Sequence, residues 1–182
     1  MSLSEIDKPG TNGSNRHDGT GKNRCHDASP LIGFAIIDGF MWLPDLLTPI
    51  YLPESVRREV LPGRNAMGER QITDALQEGS LHVWPKPIDS LLEIDLDPGE
   101  TDCINLALHH LDRALLIMDE RAGRAVAREK GIRLVGTAAI IESAKKRNLI
   151  PSARAAFEAL HDHDFRIAPA IIKDILVSVG EL

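Results

Sequence analysis

Apolar positions along this chain switch repeatedly between a helical period and short extended runs, and the switches mark out its elements. Residues 1–24, MSLSEIDKPGTNGSNRHDGTGKNR, have almost nothing apolar. A segment so rich in Gly, Asn, Ser and charge cannot offset the entropy of ordering, and a disordered tail is expected there. From DASPLIGFAIIDGF the pattern turns helical, and PIYLP reads as a short strand ahead of Pro53. PESVRREVL carries Pro in its first turn and an early acid, as helix starts do. ERQITDALQEG places Ile72, Ala75 and Leu76 at helical spacing before a stop at Gly79, and LHVW follows as a strand. There is no internal repeat, so one globular domain over residues 25–182 is expected.

The centre of the chain can be folded further. Residues 101–111 set Ile104, Ala107, Leu108 and Leu111 on one face, a helix of about 16 Å. Residues 114–118, ALLIM, form an apolar strand of about 17 Å, of the kind buried on both faces of a parallel sheet. A helix that packs back along the following strand puts its N-terminus beside the strand's C-terminus, which brings Glu100 and Asp119 together. The pattern then repeats: ERAGRAVAREK is helical with Gly131 as its stop, IRLVG is a second strand, and Thr137 is placed to cap AAIIESAKKRNL. Strand, helix, strand, helix predicts an α/β fold with a parallel sheet, whose site lies at the carboxyl ends of the strands. RIAPAIIKDIL predicts a C-terminal amphipathic helix with Ile171, Ile172, Ile175 and Leu176 on its apolar side, packed on the domain or lent to a homodimer.

Composition narrows the class. The longest apolar region, residues 31–47, is broken by Asp38, Pro44 and Asp45, short of the roughly 20 apolar residues of a membrane span. The N-terminal residues lack the apolar core of a secretory signal. Two cysteines, Cys25 and Cys103, make no disulfide framework, which fits a reducing cytoplasm. The net charge of −6 argues against indiscriminate nucleic-acid binding by the whole molecule. Its distribution does not: residues 121–154 hold nine Lys and Arg against two Glu, a net +7, which leaves −13 elsewhere.

The acids are the candidate chemistry. Asp119 is expected at a helix N-cap, and Glu100, Asp102 and Glu120 near first turns, where carboxylates satisfy free N–H groups for about 0.5–2 kcal/mol each. That account covers any one of them better than it covers the group. Several carboxylates converging on one sheet edge repel and raise one another's pKa unless a cation neutralises them. Oxygen ligands of this kind suit Mg²⁺ or Mn²⁺.

DASPLI, YLPESVRREV, LDPGETDCINLAL, LLIMDERAGRAVAREKGIRLVGT and ESAKKRNLIPS, in that order and spacing, resemble the PIN-like proteins grouped as DUF3368, relatives of the VapC toxin ribonucleases. The resemblance covers roughly residues 27–180. It implies a three-layer α/β/α fold with a central parallel sheet, and an acidic quartet that holds Mg²⁺ or Mn²⁺ and hydrolyses RNA, commonly as the toxin of a toxin–antitoxin pair. The implied quartet is Asp27, Glu59, Glu100 and Asp119, with Asp27, Glu100 and Asp119 as metal ligands and Glu59 reaching the ion through water. Ser29 matches the hydroxyl residue after the first acid and, with Arg121, Arg124 and Arg128, is a candidate RNA contact. The implied partners are RNA and a small antitoxin protein.

Two departures from the family pattern stand out. Where the family has an apolar strand before its first acid, this chain has GKNRCH; either that segment pairs despite its polarity, or Asp27 lacks a rigid mount. Asn148 stands where the family has Gly, and Asn tolerates the left-handed conformation a helix end requires. The first departure motivates an alternative function, a catalytically impaired module that binds RNA or an antitoxin-like protein.

Other residues carry less. The HDHD run, residues 161–164, alternates along a helix end and shares no face. His109 and His110 sit late in a helix, where an imidazolium suits the dipole, as do Lys145, Lys146 and Arg147. Cys25 and His26 are too few for a zinc site. Trp42 and Trp84 read as core. Neither a G-x-G-x-x-G nor a P-loop is present to hold a nucleotide.

Overall fold

In the computed structural model, five strands form one parallel sheet: β1 (Arg24–His26), β2 (Ile50–Leu52), β3 (His82–Val83), β4 (Leu115–Ile117) and β5 (Leu134–Val135), in the order β3-β2-β1-β4-β5. The structure describes residues 28–91 and 96–182, together with the backbone of 24–26. The expected tail lies outside the described residues up to Arg24, which instead opens β1. Asp27 also lies outside them.

β1 is central although its sequence is RCH. It pairs with β2 on one side and with β4 on the other, Arg24 opposite both Ile50 and Leu115. Arg24–His26 of the polar segment therefore does form a strand. Its neighbours supply the apolar sheet surface, with Ile50, Leu52, Leu116 and Ile117 at most 1% exposed. Three residues are too few for a hydrophobic period to register, whereas ladders on both sides give the segment backbone partners whatever its side chains.

The described helices are α1 (Ala28–Ile36), α2 (Leu43–Leu46), α3 (Glu54–Val60), α4 (Glu69–Glu78), α5 (Pro98–His109), α6 (Arg121–Glu129), α7 (Thr137–Lys146), α8 (Ala153–Asp162) and α9 (Pro169–Ser178). They flank the sheet in the three-layer α/β/α arrangement that the family resemblance implies. α5 packs on β1 and β4 and contacts both α3 and α6, while α7 meets α8 and α9. Leu31, Phe34, Leu43, Ile72, Ile104 and Ile141 are fully buried between the layers.

Several local expectations need correction. α5 starts at Pro98 and ends at His109, because proline is preset for a first helical turn and His110 to Ala114 close a turn that leaves Leu111 exposed. Thr137 is the first residue of α7 and not its cap; Gly136 holds that position. Asp119 is not the N-cap of α6; Glu120 is, without a side-chain cap bond. On α9, Ile175 and Leu176 are buried but Ile171 is 49% exposed, so the helix seats a narrower face than its pattern suggested. Trp84 is half-buried, unlike Trp42. Asn148 adopts φ 58°, the left-handed turn expected after α7.

Candidate metal centre

The strand order reverses between β1 and β4, since the chain runs outward to β2 and β3 before returning to the other side of β1. Parallel sheets open a crevice at such a point, beyond the carboxyl ends of the strands. α3, α5 and the turn after β4 deliver acids to this edge, and the turn after β5 brings Gly136 and Thr137 beside them.

Glu100 is placed by local rules. Asp97 is the N-cap of α5 and Pro98 its first residue, so Glu100 is the third helical residue, from which a glutamate can reach back to the cap. It does so: the Asp97 backbone N–H hydrogen-bonds the Glu100 carboxylate. A capping role would account for one oxygen only. The other, Oε1, is buried without a hydrogen-bond partner, in a side chain whose residue is 6% exposed. A charged acceptor left bare in this way costs at least about 1–3 kcal/mol. Burial pushes the Glu100 carboxyl above the usual range, and the nearby Asp97, Glu120 and Glu59 charges push it in the same direction.

The backbone makes room for that oxygen. A Cβ on Gly123, in the first turn of α6, would lie 2.9 Å from Glu100 Oε1 and would collide with the Met118 sulfur. Glu59 comes from α3, which packs along α5, and its Oε2 lies 3.1 Å from where a Cβ on Gly99 would be. Glu59 is exposed at the rim, yet its pKa is also raised, by partial desolvation first and by Asp97 second.

Asp119 follows β4 and faces the turn after β5. Its Oδ1 accepts the Thr137 backbone N–H at 2.9 Å and its Oδ2 accepts the Thr137 hydroxyl at 2.5 Å. A Cβ on Gly136 would come within 2.7 Å of Oδ1 and 3.1 Å of Arg124 Nη1, so glycine is required for this approach. Arg124 donates from Nη1 to the Met118 carbonyl at 2.6 Å. Burial and the neighbouring Arg128 lower its pKa, with Asp119 acting in the opposite sense.

A scan against protein families matches the DUF3368 model, described as a PIN domain, over residues 24–181. The chain belongs to this PIN-domain family. No curated protein matches it significantly. PIN domains are generally nucleases and generally depend on divalent metal. In this PIN domain no helix among the described residues is long and apolar enough to cross a membrane.

Of the residues expected at the site, Glu59 and Glu100 share one electrostatic environment, and Asp119 lies beside Gly136 and Arg124 at the ends of β4 and β5. Ser29 is exposed in the first turn of α1, and Arg121 and Arg128 are exposed on α6. Among the described residues no three His, Cys, Asp or Glu side chains form a closed cage, and Asp27, expected to complete one, lies outside them. The donor set nevertheless fits a hard cation: carboxylate oxygens only, one of them buried and bare. Sequence reasoning passed over Asp97 as a member of this field, and over Thr137 as the partner of Asp119. The only signals were the DPGE capping spacing and the glycine of VGT.

Proposed function

We propose that this PIN domain is a Mg²⁺- or Mn²⁺-dependent endoribonuclease acting in the cytoplasm as the toxin of a toxin–antitoxin pair, with a small antitoxin protein as its partner. The observation that carries the reading is Glu100 Oε1, a buried carboxylate oxygen without a partner, among three further acids at the switch point of the sheet. Asp27, Glu100 and Asp119 would hold the ion. When bound, the ion supplies Lewis acidity toward a phosphodiester and a nucleophilic water at neutral pH.

The chain's own residues do the rest. Thr137 fixes the carboxylate plane of Asp119. Glu59, at the exposed rim, orients the attacking water and accepts its proton, a role its raised pKa suits. Arg121 and Arg128 present exposed guanidinium groups to the RNA phosphates beside the acids. Arg124 has one donor committed to Met118 and acts mainly by holding the turn below Asp119. The impaired-module alternative drew its motive from the polar segment before Asp27, of which Arg24–His26 pairs on both sides.

Calorimetric titration with Mn²⁺ tests the reading on the intact protein and on Asp27→Asn and Asp119→Asn. Binding by the intact protein, its loss in both variants, and metal-dependent RNA cleavage lost with it are expected. An intact protein that binds no Mn²⁺ would overturn the catalytic reading in favour of a binding module.

A further inference from the structure

Away from the acids, four rings form a continuous series across the β2–β3 side of the sheet. Tyr51 and His82 are register partners on adjacent strands, with ring centroids 5.6 Å apart. Tyr51 meets Trp84 at 5.3 Å and 86°, and Trp84 meets His110, just past the end of α5, at 5.2 Å and 66°. Tyr51 alternates with Ile50 and Leu52, which are 1% and 0% exposed, so its ring stands on the other face of β2.

A cluster that served only to close the sheet would be covered and ringed by apolar side chains. These four rings are only half-buried, and Pro85, Lys86 and Pro87 directly after Trp84 are exposed. Lys86 and Arg113, both exposed, act on the His110 ring, as does the exposed imidazole of His109. Two cations thus stand at the rim of the aromatic surface, with the exposed Asp89 and Asp112 on the same two segments. Bases stack on such rings whatever their sequence, while neighbouring cations take the phosphates.

We propose that Tyr51, Trp84 and His110, with Lys86 and Arg113, form a platform on which unpaired bases of single-stranded RNA stack. The proposal rests on the ribonuclease reading and extends it, giving the substrate a second foothold. His110 stands at the opposite end of α5 from Glu100, about 15 Å along the helix axis. RNA held there would run several nucleotides from the acids.

Trp84 reports on its own site, because the only other tryptophan, Trp42, is 8% exposed. Short single-stranded oligoadenylate titrated into the Asp119→Asn protein should quench tryptophan fluorescence, and Trp42→Phe should keep the signal. Trp84→Leu should remove the signal and weaken binding about tenfold or more. Should Trp84→Leu fail to fold, Lys86→Glu at an exposed position should weaken binding and reduce its salt dependence by about one ion. No binding, binding without a Trp84 response, or equal quenching by duplex RNA or inorganic polyphosphate would each overturn the platform. Metal-dependent cleavage by the unsubstituted protein is read separately: cleavage with a silent Trp84 refutes the platform alone, and quenching without cleavage refutes the nuclease alone.

Discussion

Thr137 grips Asp119 through two donors at once, its backbone N–H on Oδ1 and its hydroxyl on Oδ2, across a separation of 18 residues in the chain. The same carboxylate thereby satisfies the first N–H of α7, one of the groups a helix start leaves without an internal partner. A side chain so held has one orientation, and that orientation faces the turn where β4 and β5 end.

Loss of the hydroxyl should therefore be felt by the cation. Thr137→Val keeps the shape and removes one donor, and should weaken Mn²⁺ binding about 10- to 100-fold, as loss of a ligand's supporting bond does. Thr137→Ser should retain most of the affinity. Calorimetric titration of the two variants decides, and equal affinities would mean that the hydroxyl does not orient the site.

Gly123→Ala should damage both fold and site. The new methyl meets the Met118 sulfur and Glu100 Oε1, both buried. Overpacking of this kind costs about 1–3 kcal/mol, readable as a lower denaturant midpoint with unchanged slope. A variant as stable as the parent, with Mn²⁺ affinity intact, would show that the Glu100 pocket relaxes freely.

Glu100 makes stability depend on pH and metal together. Its carboxyl is raised above the ordinary 4.5, by burial first and then by neighbouring acids. A raised carboxyl favours the folded state below 4.5, and that contribution is lost as the pH rises through the folded value. Metal-free protein should lose melting temperature over this interval, and Glu100→Gln should flatten the decline. Mn²⁺ at about 100 times its Kd should restore about 2.7 kcal/mol. Parallel pH profiles for parent and Glu100→Gln would show that Glu100 does not control this stability.

Glu181 ties the C-terminal helix down by the opposite electrostatics. It accepts from Ser152 Oγ, Ala153 N and Arg154 N at 2.8–3.0 Å and pairs with Lys145 at 3.2 Å, capping α8 from outside. The backbone bond from Arg154 leads the causes that hold its carboxyl at about 2. A depressed carboxyl stabilises the fold above the ordinary 4.5, and the contribution fades as the pH falls toward 2. Glu181→Ala should melt lower than the parent at neutral pH, with the gap narrowing over that acid range in thermal denaturation. A gap independent of pH would assign the effect to packing.

Much of the fold was legible because its signals are local. Ile72 and Ala75 sit at helical spacing and are buried in α4, and the ALLIM run became β4 with Leu116 and Ile117 sealed. The left-handed turn at Asn148 was legible through the family resemblance, which has Gly at that position. β1 was less legible, since RCH carries no apolar pattern and its position depends on what β2 and β4 leave open between them. Asp119 was misplaced at the nearer helix because its true partner, Thr137, belongs to the next strand–helix turn.

The sequence by itself determined the α/β order and the supply of acids at the ends of apolar runs, because helix period and strand alternation act over a few residues. Tertiary structure decided which acids meet. Glu59 reaches Glu100 only because α3 packs on α5, Glu100 Oε1 is bare only because α6 crosses it at Gly123, and Asp119 turns to Thr137 only because β4 and β5 lie side by side. Charge and hydrogen bonding act through space, and only the packed chain sets those distances.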